Sequence, residues 1–185
     1  MTFSSDAEVS VRFNARLAGV FYLLNILTGA SALFAHGTLA SALLLISTVC
    51  YVAVTLLFYH LFRPVDRTIS GLAALCSIMG CAISTLDTLH LAAAPVSPLV
   101  IFGIYCLLIG YLILRSTFLP RFLGVLMALG GLGWLTFLSP ALSSKLSPYN
   151  LAPGILAEGT LTLWLLAAAV NARQWLVQST ISGAV

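Results

Sequence analysis

Six apolar stretches separated by short polar breaks run along the chain, at residues 17–35, 39–61, 68–93, 98–114, 121–139 and 152–171. Each comes close to the ~20 residues that a helix rising ~1.5 Å per residue needs to cross ~30 Å of hydrocarbon. The connections are too short to hold a soluble domain. The pattern predicts an all-α integral membrane bundle of six transmembrane helices, one domain over residues 16–173 between tails at 1–15 and 174–185. Inside the stretches, small and polar residues recur at three- and four-residue steps. The first has Ala18, Tyr22, Asn25, Gly29, Ala32 and His36, and the second Ser41, Thr48, Tyr51 and Thr55. The third has Ser77, Gly80, Ser84, Asp87 and Leu91, and the sixth Gly154, Glu158 and Thr162. Lipid does not favour such faces, whereas helix interfaces do, because small residues let backbones approach and hydroxyls bond across. These stripes are expected to face the bundle axis, and Gly124 with Ala128 in the fifth stretch is read as a packing surface.

The odd-numbered helices open alike. Arg16 with Gly19, Arg67 with Gly71, and Arg121 with Gly124 start them, with the arginines 51 and 54 residues apart, compatible with three tandem helical hairpins. In "FRPVDRT" Pro64 stops the second helix and Asp66 is placed to cap the third. Pro120 falls where a first helical turn tolerates proline.

Composition agrees with this picture. The chain is 61% hydrophobic and 7% charged, with a mean hydropathy of +1.09, against roughly 25% charged for a soluble domain. Seven of the eight basic residues (Arg12, Arg16, Arg63, Arg67, Arg115, Arg121 and Arg173) fall at one end of the predicted bundle, and only Lys145 at the other. Basic residues in short loops are retained on the cytoplasmic side, so both termini are expected there. The net charge of +3 then reports topology, with the lipid bilayer as partner and no nucleic acid. Trp134 and Trp175 suit interfacial aromatic belts. "TGASA" at 28–32 has the small-residue spacing of a signal cleavage site, but Asp6 and Glu8 precede it and the apolar run continues past it, so the first span is expected to be kept. Cys50, Cys76, Cys81 and Cys106 form no C-x-x-C pair and read as packing residues.

Only Asp87 and Glu158 are carboxylates inside spans. Counting along oppositely directed helices places both ~9 Å below the outer boundary, with His90 one turn further out, His36 near the rim and Asn25 mid-span. The candidate site is an outward-facing polar pocket of Glu158, Asp87, His90, Asn25, Thr162 and Ser84. Intramembrane carboxylates are costly, and two readings stay open: a proton, cation or small-solute site, or a hydrogen-bonded group holding helix ends. Glu158 is the firmer candidate, because Arg173 ends the sixth span and leaves Glu158 well inside, whereas Asp87 can reach water. His36, Asp87, His90 and Glu158 are metal-ligand types without a tight ligand spacing. His60 and His90 lie at opposite helix ends, too far apart to ligate one haem iron. No cofactor, metal or catalytic residue is expected, and no serine–histidine, phosphate-loop or HExxH pattern points to an enzyme. The competing expectation is a structural or accessory subunit, packing its small-residue faces on a second copy or a membrane partner.

Four stretches together carry a family resemblance: "ARLAGVFYLLNILTG" (15–29), "LFRPVDRTIS" (61–70), "IGYLILRSTFLPRFLGVLMALGGLGWL" (109–135) and "LAEGTLTLWLLAAAV" (156–170). The chain resembles the bacterial polytopic membrane family catalogued as domain of unknown function 4386. The resemblance implies a multi-pass protein of the bacterial inner membrane, with shortened outer loops after the first and third helices. It implies no activity, cofactor or catalytic residue. Glu158 lies within a resembling stretch and Asp87 and His90 do not, which again favours Glu158.

Overall fold

The computed structural model describes residues 5–91 and 97–183. Among these the chain is all-helical: α1 Ser5–Ala32, α2 Thr38–Phe62, α3 Arg67–Thr88, α4 Pro98–Arg115, α5 Arg121–Leu135, α6 Pro140–Leu146, α7 Ala152–Ala167 and α8 Ala172–Ile181. Five helical segments, α1 to α4 and Arg121–Leu138, are long and apolar enough to cross a membrane. Tyr149–Ala167, a 3-10 turn running into α7, supplies a sixth crossing when taken with α8, from which it is bent by 103°.

Helix ends follow local chemistry. Asp66 caps α3 through Oδ1, which accepts from the Ile69 N–H at 2.9 Å, and Ser97 caps α4 just ahead of Pro98. The Asp66→Ala variant is expected to lose about 1 kcal/mol, lowering the unfolding midpoint in detergent by about 2–4 °C, read by circular dichroism. Helix α3 stops at Thr88, so His90 lies beyond it with a positive φ of 54°. The sixth apolar stretch breaks at Ala167, and Ala169 (φ 55°) makes the turn into α8. Residues 174–181, placed in the tail by the hydropathy pattern, therefore belong to α8. Its N-cap Asn171 accepts from the Gln174 N–H, and its own N–H donates to the Phe118 carbonyl at 3.1 Å. Helix α8 is held at the arginine end by Trp175 Nε1, which donates to the Leu61 carbonyl at 2.8 Å, and by Gln178 Oε1, which accepts from Thr117.

The helices form a closed ring. Each of α1, α2, α3, α4, α5 and α7 packs on the next, and α7 returns to α1. The hairpins α1/α2, α3/α4 and α5/α7 are joined around the ring at three helix-opening glycines. A Cβ on Gly19 would meet Leu165 of α7 at 3.1 Å, one on Gly71 would meet Tyr59 of α2 at 4.0 Å, and one on Gly124 would meet the Gly110 oxygen of α4 at 2.8 Å. In every case the first helix of a hairpin faces the second helix of the hairpin before it. This shared geometry supports the tandem reading better than the arginines do, because topology alone places arginines there.

The ring centre is filled by side chains, among them Tyr22, Phe58, Tyr105, Ile109, Met127 and Leu161, all buried. Most of each polar stripe turns inward with them, whereas His36, Asp87 and Leu91 at the outer ends of their stripes are exposed. Ala18, Tyr51, Thr55, Ser77, Gly80, Gly154 and Thr162 are buried, and Thr55 and Ser77 share a hydroxyl–hydroxyl bond between α2 and α3. Large apolar residues such as Leu27, Val49, Leu75, Leu129 and Leu163 are exposed on the outer surface. That inversion of the soluble pattern suits a lipid-facing exterior, since lipid solvates leucine as well as a core does.

Candidate functional site

A cleft of about 170 Å³ enters the ring at the end away from the arginines. It is lined by Asn25, Ser47, Thr48, Tyr51, Cys81, Ser84, Leu99, Phe102, Trp134 and Glu158. Every ring helix contributes: the later half of α1, the first half of α2, the last turns of α3, the first turn of α4, the end of α5 and the second turn of α7. That shared level follows from the up-and-down connectivity, which brings α1, α3 and α5 to their C-terminal ends where α2, α4 and α7 begin.

Glu158 is half-buried at the floor of this cleft. Its Oε1 accepts from Trp134 Nε1 at 3.1 Å and from Cys106 Sγ at 3.7 Å, and its backbone oxygen accepts from Thr162 Oγ1 at 2.7 Å. Among the described residues, no arginine, lysine or histidine lines the cleft, and no cation pairs with Glu158. Behind it stands a tyrosine group: Tyr22 and Tyr51 meet edge-on with centroids 5.6 Å apart, and Tyr51 and Tyr105 at 5.8 Å. Among the described residues, the hydroxyls of all three are buried and make no well-formed hydrogen bond. On the opposite wall, Ser47 Oγ donates to Asn25 Oδ1 at 2.7 Å, tying α2 to α1.

Of the residues anticipated from the sequence, Glu158, Asn25 and Ser84 line the cleft. Thr162 is buried one turn below Glu158 and braces its backbone. Asp87 and His90 are exposed, at the last turn of α3 and beyond it, and neither lines the cleft. His36 likewise lies outside it. Among the described residues, no three histidine, cysteine or acidic side chains gather in a metal-binding arrangement.

Trp134 suits an interfacial belt by its place in the sequence, whereas in the fold it is 9% exposed and hydrogen-bonded to Glu158. Cys106, a packing residue by its sequence context, is buried with its thiol on the same carboxylate. The two contacts join residues 24 and 52 positions apart, so no local spacing announces them. Gly154 creates the room. A Cβ there would collide with the Trp134 indole, so Gly154→Ala is expected to push that ring off Glu158. In a Trp164→Phe, Trp175→Phe background, indole emission should shift relative to the parent protein, and the overpacking should cost about 1–3 kcal/mol.

The model of the family described as Domain of unknown function (DUF4386) matches residues 94–169, from the lead-in to α4 through α7. An uncharacterized protein of Archaeoglobus fulgidus is 36% identical over 90 residues, 45% of this chain and 56% of the relative. The chain therefore spans about half the length of the curated relative it matches. No solved structure matches it. The family model includes Cys106, Trp134, Gly154 and Glu158, so the floor of the cleft lies within the matched region and the Asn25, Ser47 and Tyr51 wall lies outside it.

Proposed function

We propose that this multi-pass membrane protein binds a small cationic solute in the cleft above Glu158, as a receptor or as one step of transport. One observation carries the reading: a carboxylate with no cationic partner among the described residues stands in a cleft walled by the aromatic rings of Tyr51, Phe102 and Trp134. A carboxylate inside a membrane span is costly and is favoured by a positive charge that meets it, and aromatic faces attract cations, more strongly where water is scarce. Drug-sized ligands occupy pockets of about 300–1,000 Å³, so a cleft of about 170 Å³ suits an ion or a compact ammonium compound. With the arginine end in the cytoplasm by the positive-inside rule, the cleft opens on the outer face.

The test is a thermal-shift panel in neutral detergent, comparing alkali cations, methylammonium and tetramethylammonium with sugars and organic anions of matched size. Stabilisation confined to cations, and absent in Glu158→Gln, supports the reading. Stabilisation by neutral solutes or anions, or none by any cation, overturns it and leaves a structural subunit as the better account.

A further inference from the structure

A second cavity, of about 200 Å³, lies at the arginine end of the ring, in the angle between α1, α2 and α8. Its polar lining comes from Asn14, His60 and Arg63, and its remaining walls are apolar side chains of α1 and α2 together with Trp175 and Pro64. The Trp175 N–H is already committed to the Leu61 carbonyl, which fixes the indole as a wall.

Arg63 is the unusual member. Among the described residues its Nε is buried without a hydrogen-bond partner. The carboxylate nearest in sequence, Asp66, is engaged as the α3 cap. A buried guanidinium N–H without an acceptor is costly, and guanidinium is always charged. An oxyanion is the partner that a guanidinium takes by chemistry. No carboxylate lines it to repel one, and the planar guanidinium fork matches phosphate oxygens.

We propose that this cavity is a phosphate-binding site built on Arg63, with Asn14 and His60 as further polar contacts. The phosphate is presented by an anionic phospholipid headgroup or by a soluble phosphate. The site is separate from the Glu158 cleft and does not depend on what binds there. A charge in this position does more than mark topology, because a ligand bridging α1, α2 and α8 would lock the bent C-terminal helix against the ring.

Two arms on the full chain in neutral detergent test the site and its source. Native mass spectrometry with added phosphatidylglycerol is compared with added diacylglycerol, which has no phosphate, and equilibrium dialysis measures labelled inorganic phosphate. Phosphatidylglycerol is expected to be retained and diacylglycerol not. Competition by inorganic phosphate identifies a soluble ligand, and its failure to compete identifies the lipid. Losing a charge-assisted hydrogen bond costs about tenfold or more in affinity, so Arg63→Gln should weaken retention by that factor. Arg121→Gln, which removes the same charge from the same end outside the cavity, should change it less than about twofold, and Glu158→Gln should leave it unchanged. Should Arg63→Gln fail to fold, Asn14→Leu decides, since it narrows the cavity from another helix and is expected to weaken binding severalfold. Equal losses in Arg63→Gln and Arg121→Gln, unchanged binding in Asn14→Leu, or no preference for a phosphate-bearing ligand would overturn the site.

Discussion

Replacing Glu158 with glutamine is expected to abolish cation binding while leaving the protein folded. Glutamine keeps the length of the side chain and an oxygen that can accept from Trp134 Nε1 and Cys106 Sγ as Oε1 does now, so the floor of the cleft survives. What disappears is the charge. At 4 Å, opposite unit charges at an effective dielectric near 20 attract by about 4 kcal/mol before desolvation is counted. Even half of that net amount is more than tenfold in affinity, and cation-dependent stabilisation should fall below detection. Asp87→Asn is the matched control. It removes the same charge from an exposed site outside the cleft and is expected to change affinity by less than about twofold. Titration calorimetry in detergent with tetramethylammonium reads both variants. Equal losses would mean that the acidic end of the bundle attracts cations diffusely, which removes the reason for a site at Glu158. Intact binding with altered oligomer size in Glu158→Gln would instead assign the residue to assembly.

The largest stability loss is expected from Gly110→Val. Four glycines, Gly103 and Gly110 on α4 and Gly124 and Gly131 on α5, recur at seven-residue intervals within each helix and bring the two into backbone contact. A Cβ on Gly110 would meet the Gly124 oxygen at 2.8 Å and the Ala128 nitrogen at 3.0 Å, and one on Gly131 would meet the Gly103 oxygen at 2.7 Å. Because the obstructing atoms are backbone, no rotamer change relieves the clash, and α4 and α5 must separate along their length. Overpacking of this kind costs about 3 kcal/mol, which lowers the unfolding midpoint by about 6–12 °C for a chain of this size. A Cβ on Gly159 would meet no described atom within 4 Å, so Gly159→Ala should not lower the midpoint and can raise it through helix propensity. A Gly110→Val protein melting with the parent would refute the close α4/α5 contact.

The hydropathy pattern is sufficient for the helices because each span must satisfy its own backbone in hydrocarbon. Every crossing is then announced by a local apolar run. The pattern is less informative at breaks buried inside such runs. The run through Ala168–Val170 has no proline or glycine to mark a stop, yet Ala169 takes a positive φ and α8 turns away. Tertiary contacts, Trp175 to Leu61 and Asn171 to Phe118, hold that turn. The Gly124 and Ala128 spacing points to a packing face, but only the partner helix shows that Gly131 shares it.

The candidate site divides the same way. Glu158 stands out in the sequence because a carboxylate deep in an apolar run requires an explanation. The inward stripes place Asn25, Ser84 and Tyr51 on its side of their helices. Counting residues from a helix end gives depth but not distance from the axis, so the count alone sets Asp87 level with Glu158, although Asp87 lies exposed at the end of α3. The sequence by itself determined six apolar runs, their mostly inward polar faces, the gathering of arginines at one end and the prominence of Glu158, all of which follow from local hydrophobicity and helical period. Only the tertiary structure decided that the helices close into a ring, that Trp134 and Cys106 bond to Glu158, and that Arg63, with its Nε buried, lines a cavity beside α8. Those depend on which helix faces meet across distant parts of the chain, and nothing in a local pattern encodes that.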